Sequence, residues 1–285
     1  MEEIRRKPMY RYLIMLTIAS TVGLQAWATL FNNFAVEVGG LEGKHVGIIQ
    51  SVREIPGFLA LLAIYVMLII MEHRLSALSI LLLGIGLGVT GMLPTFTGLM
   101  IATLISSFGF HYYETTNQSL TLQYFNTEQA PWVFGRQYSI AAASNTGIGL
   151  FIYLISFFAN YSQTYMIIGI FIVGVAVWGF FQNPEQPGLA PQRKKMILRK
   201  KYWLFYFLTF MAGARRQIFM AFAVFFLVKR FEYSVQEITI LFVVNNVILY
   251  YLSPIIGKSI VRFGERRVLS QDVCCASLHT RPYFL

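Results

Sequence analysis

From Tyr12 onward, apolar residues run in blocks of about twenty, and polar residues gather in short stretches between them. A helix needs about 20 predominantly apolar residues to cross a bilayer. By that measure the chain divides into eight spans, at 12–36, 46–71, 76–94, 98–120, 138–159, 163–182, 202–228 and 237–257. Several connections are only a few residues long, which predicts antiparallel neighbours. Pro56-Gly57 predicts a kink in the second span. The longest polar stretch, "NPEQPGLAPQRKKMILRKK" at 183–201, holds three prolines and six cations and reads as a linker. The expected fold class is an all-α membrane protein. It has a six-helix bundle over 1–182, a basic linker over 183–201, two further helices and a loop over 202–270, and a tail over 271–285.

Composition agrees with this pattern. The chain is 56% hydrophobic and 13% charged, against about 25% charged in soluble domains. Its mean hydropathy is +0.58. A net charge of +10 would suit nucleic acid, but the cations fall in clusters between apolar runs. Membrane lipid is therefore the expected partner and nucleic acid is not. The first apolar run continues through Val36, too long for a signal-peptide core, so a retained first span is expected. Cys274 and Cys275 are adjacent, which offers neither a disulfide framework nor a metal pattern. No metal or other cofactor is expected.

Lys and Arg in the loops set the orientation. With the N-terminus in the cytoplasm, sixteen of the 23 cations lie on the cytoplasmic side. Only Lys44, Lys229 and Arg230 fall opposite. The expected location is the plasma membrane, the inner membrane in a bacterium.

Ionisable groups inside spans are costly and mark function. In "FLTFMAGARRQIFMAFAVFFL", Arg215 and Arg216 lie near the middle of the seventh span, followed by Gln217. Two central arginines cost about 5–7 kcal/mol, and the span's Leu, Ile, Phe and Val offset about 4–8. Such a balance points to a wet cavity or a buried partner. Adjacent positions differ by about 100° around a helix, so one arginine at most faces a given ligand. In the fourth span, His111, Glu114 and Gln118 follow helical spacing, with Asn117 beside them. A His and a Glu one turn apart can exchange protons with a cavity. Proton coupling, substrate hydrogen bonding and structural packing all remain open for this set. The first span adds Gln25, Asn32 and Asn33, and the second holds Arg53 and Glu54. "GIGLGVTG" at 84–91 reads as a helix-packing face, not a nucleotide loop.

The chain also resembles itself at an offset of 192. Tyr10 meets Tyr202, Thr17 meets Thr209, Gln25 meets Gln217, and Arg74 meets Arg266, without a gap over some 65 residues. Spans seven and eight thus read as the start of a second copy of the first six. Asn245 and Asn246 take the repeat positions of Arg53 and Glu54, and are expected to join the halves rather than bind ligand.

Six helices, a basic central loop and a restarted repeat resemble the major facilitator superfamily of secondary transporters. "GKSIVRFGERR" is similar to that family's G-x-x-x-D-R-x-G-R-R loop through Gly257, Arg262, Gly264, Arg266 and Arg267, with Val261 in place of the Asp. The first-half counterpart is reduced to Glu72, His73 and Arg74. The resemblance implies that this loop latches helix bundles together; a purely topogenic cytoplasmic loop is the other reading. It also implies that helices one, four and seven line a central cavity. Those are the spans carrying Gln25, Asn32 and Asn33; His111, Glu114, Asn117 and Gln118; and Arg215, Arg216 and Gln217.

The expected function is secondary transport of a small solute. Arg53, Arg215 and Arg216 against Glu54 and Glu114 favour an anionic or zwitterionic one, with His111 and Glu114 as candidates for proton coupling. An intramembrane enzyme would need a catalytic pair or metal set, and one His with one Glu is thin material; HExxH, GxSxG and P-loop motifs are absent. A non-transporting sensor or truncated form is the third class. After "GERRVLS" the repeat calls for a ninth span, whereas "QDVCCASLHTRPYFL" cannot cross a membrane. The expectation is a frameshift or early stop near Ser270, and a chain that does not transport alone.

Overall fold

The computed structural model describes residues 2–126, 129–184 and 199–248, excluding the side chains of 131, 205, 209 and 212–222. No strand occurs among them. A short α1, Glu2–Arg6, leads into α2, Pro8–Asn33. Pro8 suits a first turn, where its missing N–H would have no helical partner. α2 ends in a π turn, Phe34–Val38, and Gly40 at φ 61° turns the chain.

The second span begins as α3, Gly43–Arg53, and breaks where the Pro56-Gly57 pair predicts. The remainder is α4, Ile55–Leu59, a 3-10 turn at Ala60–Leu62, and α5, Ala63–Val66. Four long helices follow: α6, Glu72–Thr90; α7, Phe96–Tyr124; α8, Ala130–Ile155; and α9, Tyr161–Phe181. Asn160 and Gln163 cap α9 reciprocally at 2.9 and 3.0 Å. Across the linker lie α10, Trp203–Phe231, and α11, Val235–Ile248. Glu232 closes α10 in the left-handed conformation at φ 54°.

Five of the described helical stretches are long and apolar enough to cross a membrane. α7 is not among them, because His111, Glu114, Asn117 and Gln118 dilute its apolar half. At the offset of 192, Pro8–Val38 maps onto 200–230 and Gly43 onto Val235, beside the observed starts of α10 and α11.

Lipid is as apolar as leucine, so helices here associate through close backbone approach and polar contacts. α6 packs between α7 and α9. Its glycines divide the work: Gly88 meets Gly169 of α9, and Gly86 meets Ser106 of α7. Ser79, Thr90 and Ser106 satisfy their hydroxyls on carbonyls of their own helices, while Ser76 reaches Thr116 at 2.6 Å. The core includes Tyr12, Leu13, Leu16, Phe31, Phe34 and Tyr165, all fully buried. Large apolar side chains on the outside, such as Phe58, Ile69, Phe158 and Phe181, suit a lipid surround.

The expected loop motif of Gly257, Arg262, Gly264, Arg266 and Arg267, and the tail from Gln271, lie outside the described residues. In the first-half counterpart Glu72 and His73 are buried and Arg74 is exposed: Ser119 donates to Glu72 at 3.1 Å, and the Tyr12 hydroxyl donates to the His73 carbonyl.

Candidate functional site

A cavity of about 480 Å³ opens between α2, α7 and α8. α7 contributes Glu114 and, one helical turn on, Asn117 and Gln118, together with Tyr113. α2 contributes Thr17, Ser20 and Thr21; α8 contributes Gln137 and Tyr138. Glu114 is the one charged residue among the described lining side chains.

The polar wall is mutually ordered. Asn117 Nδ2 donates to Gln137 Oε1 at 3.1 Å, and Gln137 Nε2 donates back to Asn117 Oδ1 at 3.2 Å. Gln137 also reaches Thr121 Oγ1 at 3.2 Å. Thr17 Oγ1 donates to the Leu13 carbonyl at 2.8 Å and lies 2.9 Å from the Tyr113 hydroxyl. These bonds fix the amides on α7 and α8 while leaving hydrogen-bonding capacity on each, since a primary amide offers two donors and two acceptor lone pairs. Phe110 and Phe134 supply apolar surface beside them.

The expected site residues separate into three groups. Glu114, Asn117 and Gln118 meet in this cavity. His111 is not among its lining residues; its ring packs against Gly57 at the break in the second span, where a β-carbon would come within 3.1 Å of it. Residues three apart differ by about 60° around a helix, enough to give the two side chains different neighbours. Gln25, Asn32 and Asn33 lie one to three turns further along α2. Gln25 bonds Thr29 at 3.1 Å. Asn32 and Asn33 are buried, and neither Oδ1 has a hydrogen-bond partner among the described residues. Arg215, Arg216 and Gln217 stand midway along α10, and their side chains lie outside the described residues. Arg53 stacks over Trp27 at 4.2 Å and lies 3.9 Å from Glu54.

Hydrogen bonds join α2 and α8 to the α10–α11 segment. Asn33 Nδ2 donates to Glu37 at 2.9 Å and to the Tyr233 carbonyl at 2.8 Å. Gln236 donates to Ser156 at 3.0 Å, and Asn145 to Asn246 at 3.1 Å. Asn246 thus makes the contact between halves that its repeat position suggests. Tyr161 holds the second oxygen of Glu37 at 2.7 Å.

Gln137 and the hydroxyls of Thr17, Ser20 and Thr21 were not expected here. The fifth span as read from the sequence begins at 138, which leaves Gln137 one residue outside it. Hydroxyls within a helix usually bond their own backbone, so nothing in their spacing marks them.

No family model matches the chain, and no curated protein does. Solved structures do. The nucleoside transporter NupG aligns with a TM-score of 0.69 at 14% identity, covering 90% of this chain and 68% of that one. A point mutant of NupG gives 0.68 at 16%, covering 90% and 69%. A bacterial homologue of the human lysosomal transporter Spinster, inward-facing and unoccupied, gives 0.62 at 14%, covering 92% and 64%. The described helices thus have the fold of these transporters of the major facilitator superfamily.

Proposed function

We propose that the chain is a secondary active transporter of a small zwitterionic or anionic solute, seated in the cell membrane with its N-terminus in the cytoplasm and coupled to protons. The observation that carries this reading is the cavity in which Glu114 stands beside the ordered Asn117–Gln137 pair. Glu114, the one charged group among the described lining residues, favours a solute with a positive group, and Arg215 or Arg216 on α10 would take its carboxylate. With the N-terminus cytoplasmic, contacts through Asn33, Ser156 and Tyr233 close the outer end, and the cavity belongs to an inward-open state. A nucleoside is the second reading. The rings of Phe110, Phe134 and Tyr138 beside two amides suit a planar, hydrogen-bonding solute, and the likeness to a nucleoside transporter supports it.

The test is uptake by proteoliposomes of the 285-residue chain, offered labelled amino acids, dicarboxylates and nucleosides, with binding measured in parallel by thermal shift. Uptake that saturates supports transport. Saturable binding without uptake corresponds to the non-transporting form. If none of the three classes is bound, the solute reading fails. Among solutes that bind, Gln137→Leu is expected to weaken affinity about tenfold, because it leaves the Asn117 amide without its partner. Equal affinity in the variant would remove Gln137 from the site.

A further inference from the structure

A second cleft lies where α1 and the start of α2 meet the end of α9. Its volume is about 230 Å³. Arg6 and Arg11 line it from one side, Gln182 and Asn183 from the other, over Tyr12 and Trp178. No carboxylate lines it among the described residues.

The local sequence explains why two of four neighbouring cations face this cleft. Arg5 lies over the Trp132 ring at 5.9 Å, and Lys7 over Phe125 at 5.4 Å while donating to Gln129 at 3.3 Å. Those two are directed towards α8. Arg6 pairs with Glu2 at 3.2 Å, but both side chains are more than three-quarters exposed. Such a pair contributes only a few tenths of a kcal/mol and yields readily to a better anion. Arg11 makes no ion pair or side-chain hydrogen bond among the described residues. Guanidinium groups match phosphate oxygens in a two-pronged fork, and the two amides add neutral donors. The Tyr12 and Trp178 rings, stacked at 6.3 Å, form an apolar floor. Phe181, next to Gln182 in the chain, is 83% exposed. Cationic donors, an interfacial tryptophan and an outward apolar side chain at one helix end are the features of a membrane–water boundary.

We propose that this cleft binds a phosphate group, carried by an anionic phospholipid whose acyl chains lie along the outer face of α9. The site is separate from the solute cavity and stands whether or not that cavity transports. It would anchor the bundle in the leaflet facing its N-terminus.

Native mass spectrometry of the purified chain, supplied with equal amounts of phosphatidylglycerol and phosphatidylcholine, tests this directly. Preferential retention of phosphatidylglycerol is expected. Each arginine near a charged headgroup contributes enough that the preference should fall about fivefold in Arg11→Gln and about thirtyfold in an Arg6→Ala, Arg11→Ala double variant. Arg5→Ala, whose guanidinium is directed to Trp132, should leave it unchanged. Equal retention of the two lipids by the unaltered chain, or an undiminished preference in both arginine variants, would overturn the proposal. Displacement of the lipid by millimolar inorganic phosphate would assign the cleft to a soluble anion and overturn the lipid assignment.

Discussion

Glu114→Gln is expected to abolish solute accumulation driven by a proton gradient while leaving solute exchange intact. One proton moving down 100 mV supplies about 2.3 kcal/mol, enough for an accumulation ratio of about 50. The group that carries it must take up and release a proton inside the cavity and sense the solute. Glu114 meets the second requirement by position, sharing a wall with Asn117 and Gln118 and facing Gln137 on α8. Gln keeps the size and hydrogen-bonding shape of the side chain but cannot ionise. The variant should therefore equilibrate labelled solute across the membrane at a ratio near one. His111→Gln should keep gradient-driven accumulation, since that ring packs against Gly57 rather than lining the cavity. If the chain binds solute without moving it, the same role reads out as a pH dependence of binding that is flat in Glu114→Gln. Accumulation at the unaltered level in Glu114→Gln would rule this carboxylate out as the coupling group.

That division between Glu114 and His111 shows where sequence reading stops. The spans were legible because bilayer thickness imposes a length on apolar runs, and the break in the second span was legible because Pro56 lacks a backbone N–H and disfavours the helix before it. The candidate polar residues of α7 were legible because polar groups inside a span are costly. Which of them share a cavity was not. Spacing places His111 and Glu114 on neighbouring strips of one helix, but the gap left by Gly57 on α4 decides where the imidazole goes. The same applies to α2. Gln25, Asn32 and Asn33 are its conspicuous amides, yet the helix presents Thr17, Ser20 and Thr21 to the cavity. The backbone carbonyl of Tyr233, which accepts from Asn33, has no side-chain signature at all. Contacts between halves depend on how two bundles meet, and that information is spread over many apolar residues rather than held in a motif.

Gly109→Ala is expected to cost about 3 kcal/mol or more, although the same change at Gly174 should be neutral or slightly stabilising. In an open helical site, replacing Gly by Ala stabilises by about 0.5–1 kcal/mol, because glycine loses more backbone freedom on folding. Gly174 in α9 is such a site, with nothing within 4 Å of an added β-carbon. At Gly109 the added atom would run into the Leu83 backbone nitrogen and the Ser79 carbonyl oxygen of α6. Neither can rotate away as a side-chain tip could. Gly86, further along the same seam, would meet the Ser106 nitrogen at 2.5 Å, so α6 and α7 touch backbone to backbone over about two turns. α6 cannot retreat without consequence, because its opposite face is held by α9, where a β-carbon on Gly169 would lie 2.6 Å from the Gly88 α-carbon. Forcing atoms into a packed interior costs about 1–3 kcal/mol when side chains can adjust, and more when they cannot. For a chain of this size, 3 kcal/mol lowers the melting temperature by about 6–12 °C. Thermal unfolding of the two purified variants in one detergent measures the contrast. Gly109→Ala should also weaken solute binding, since Glu114 and Asn117 ride on α7 one to two turns beyond the displaced contact. Equal melting temperatures for the two variants would mean that α6 and α7 do not meet backbone to backbone, and the position of the α7 cavity wall would have to be redrawn.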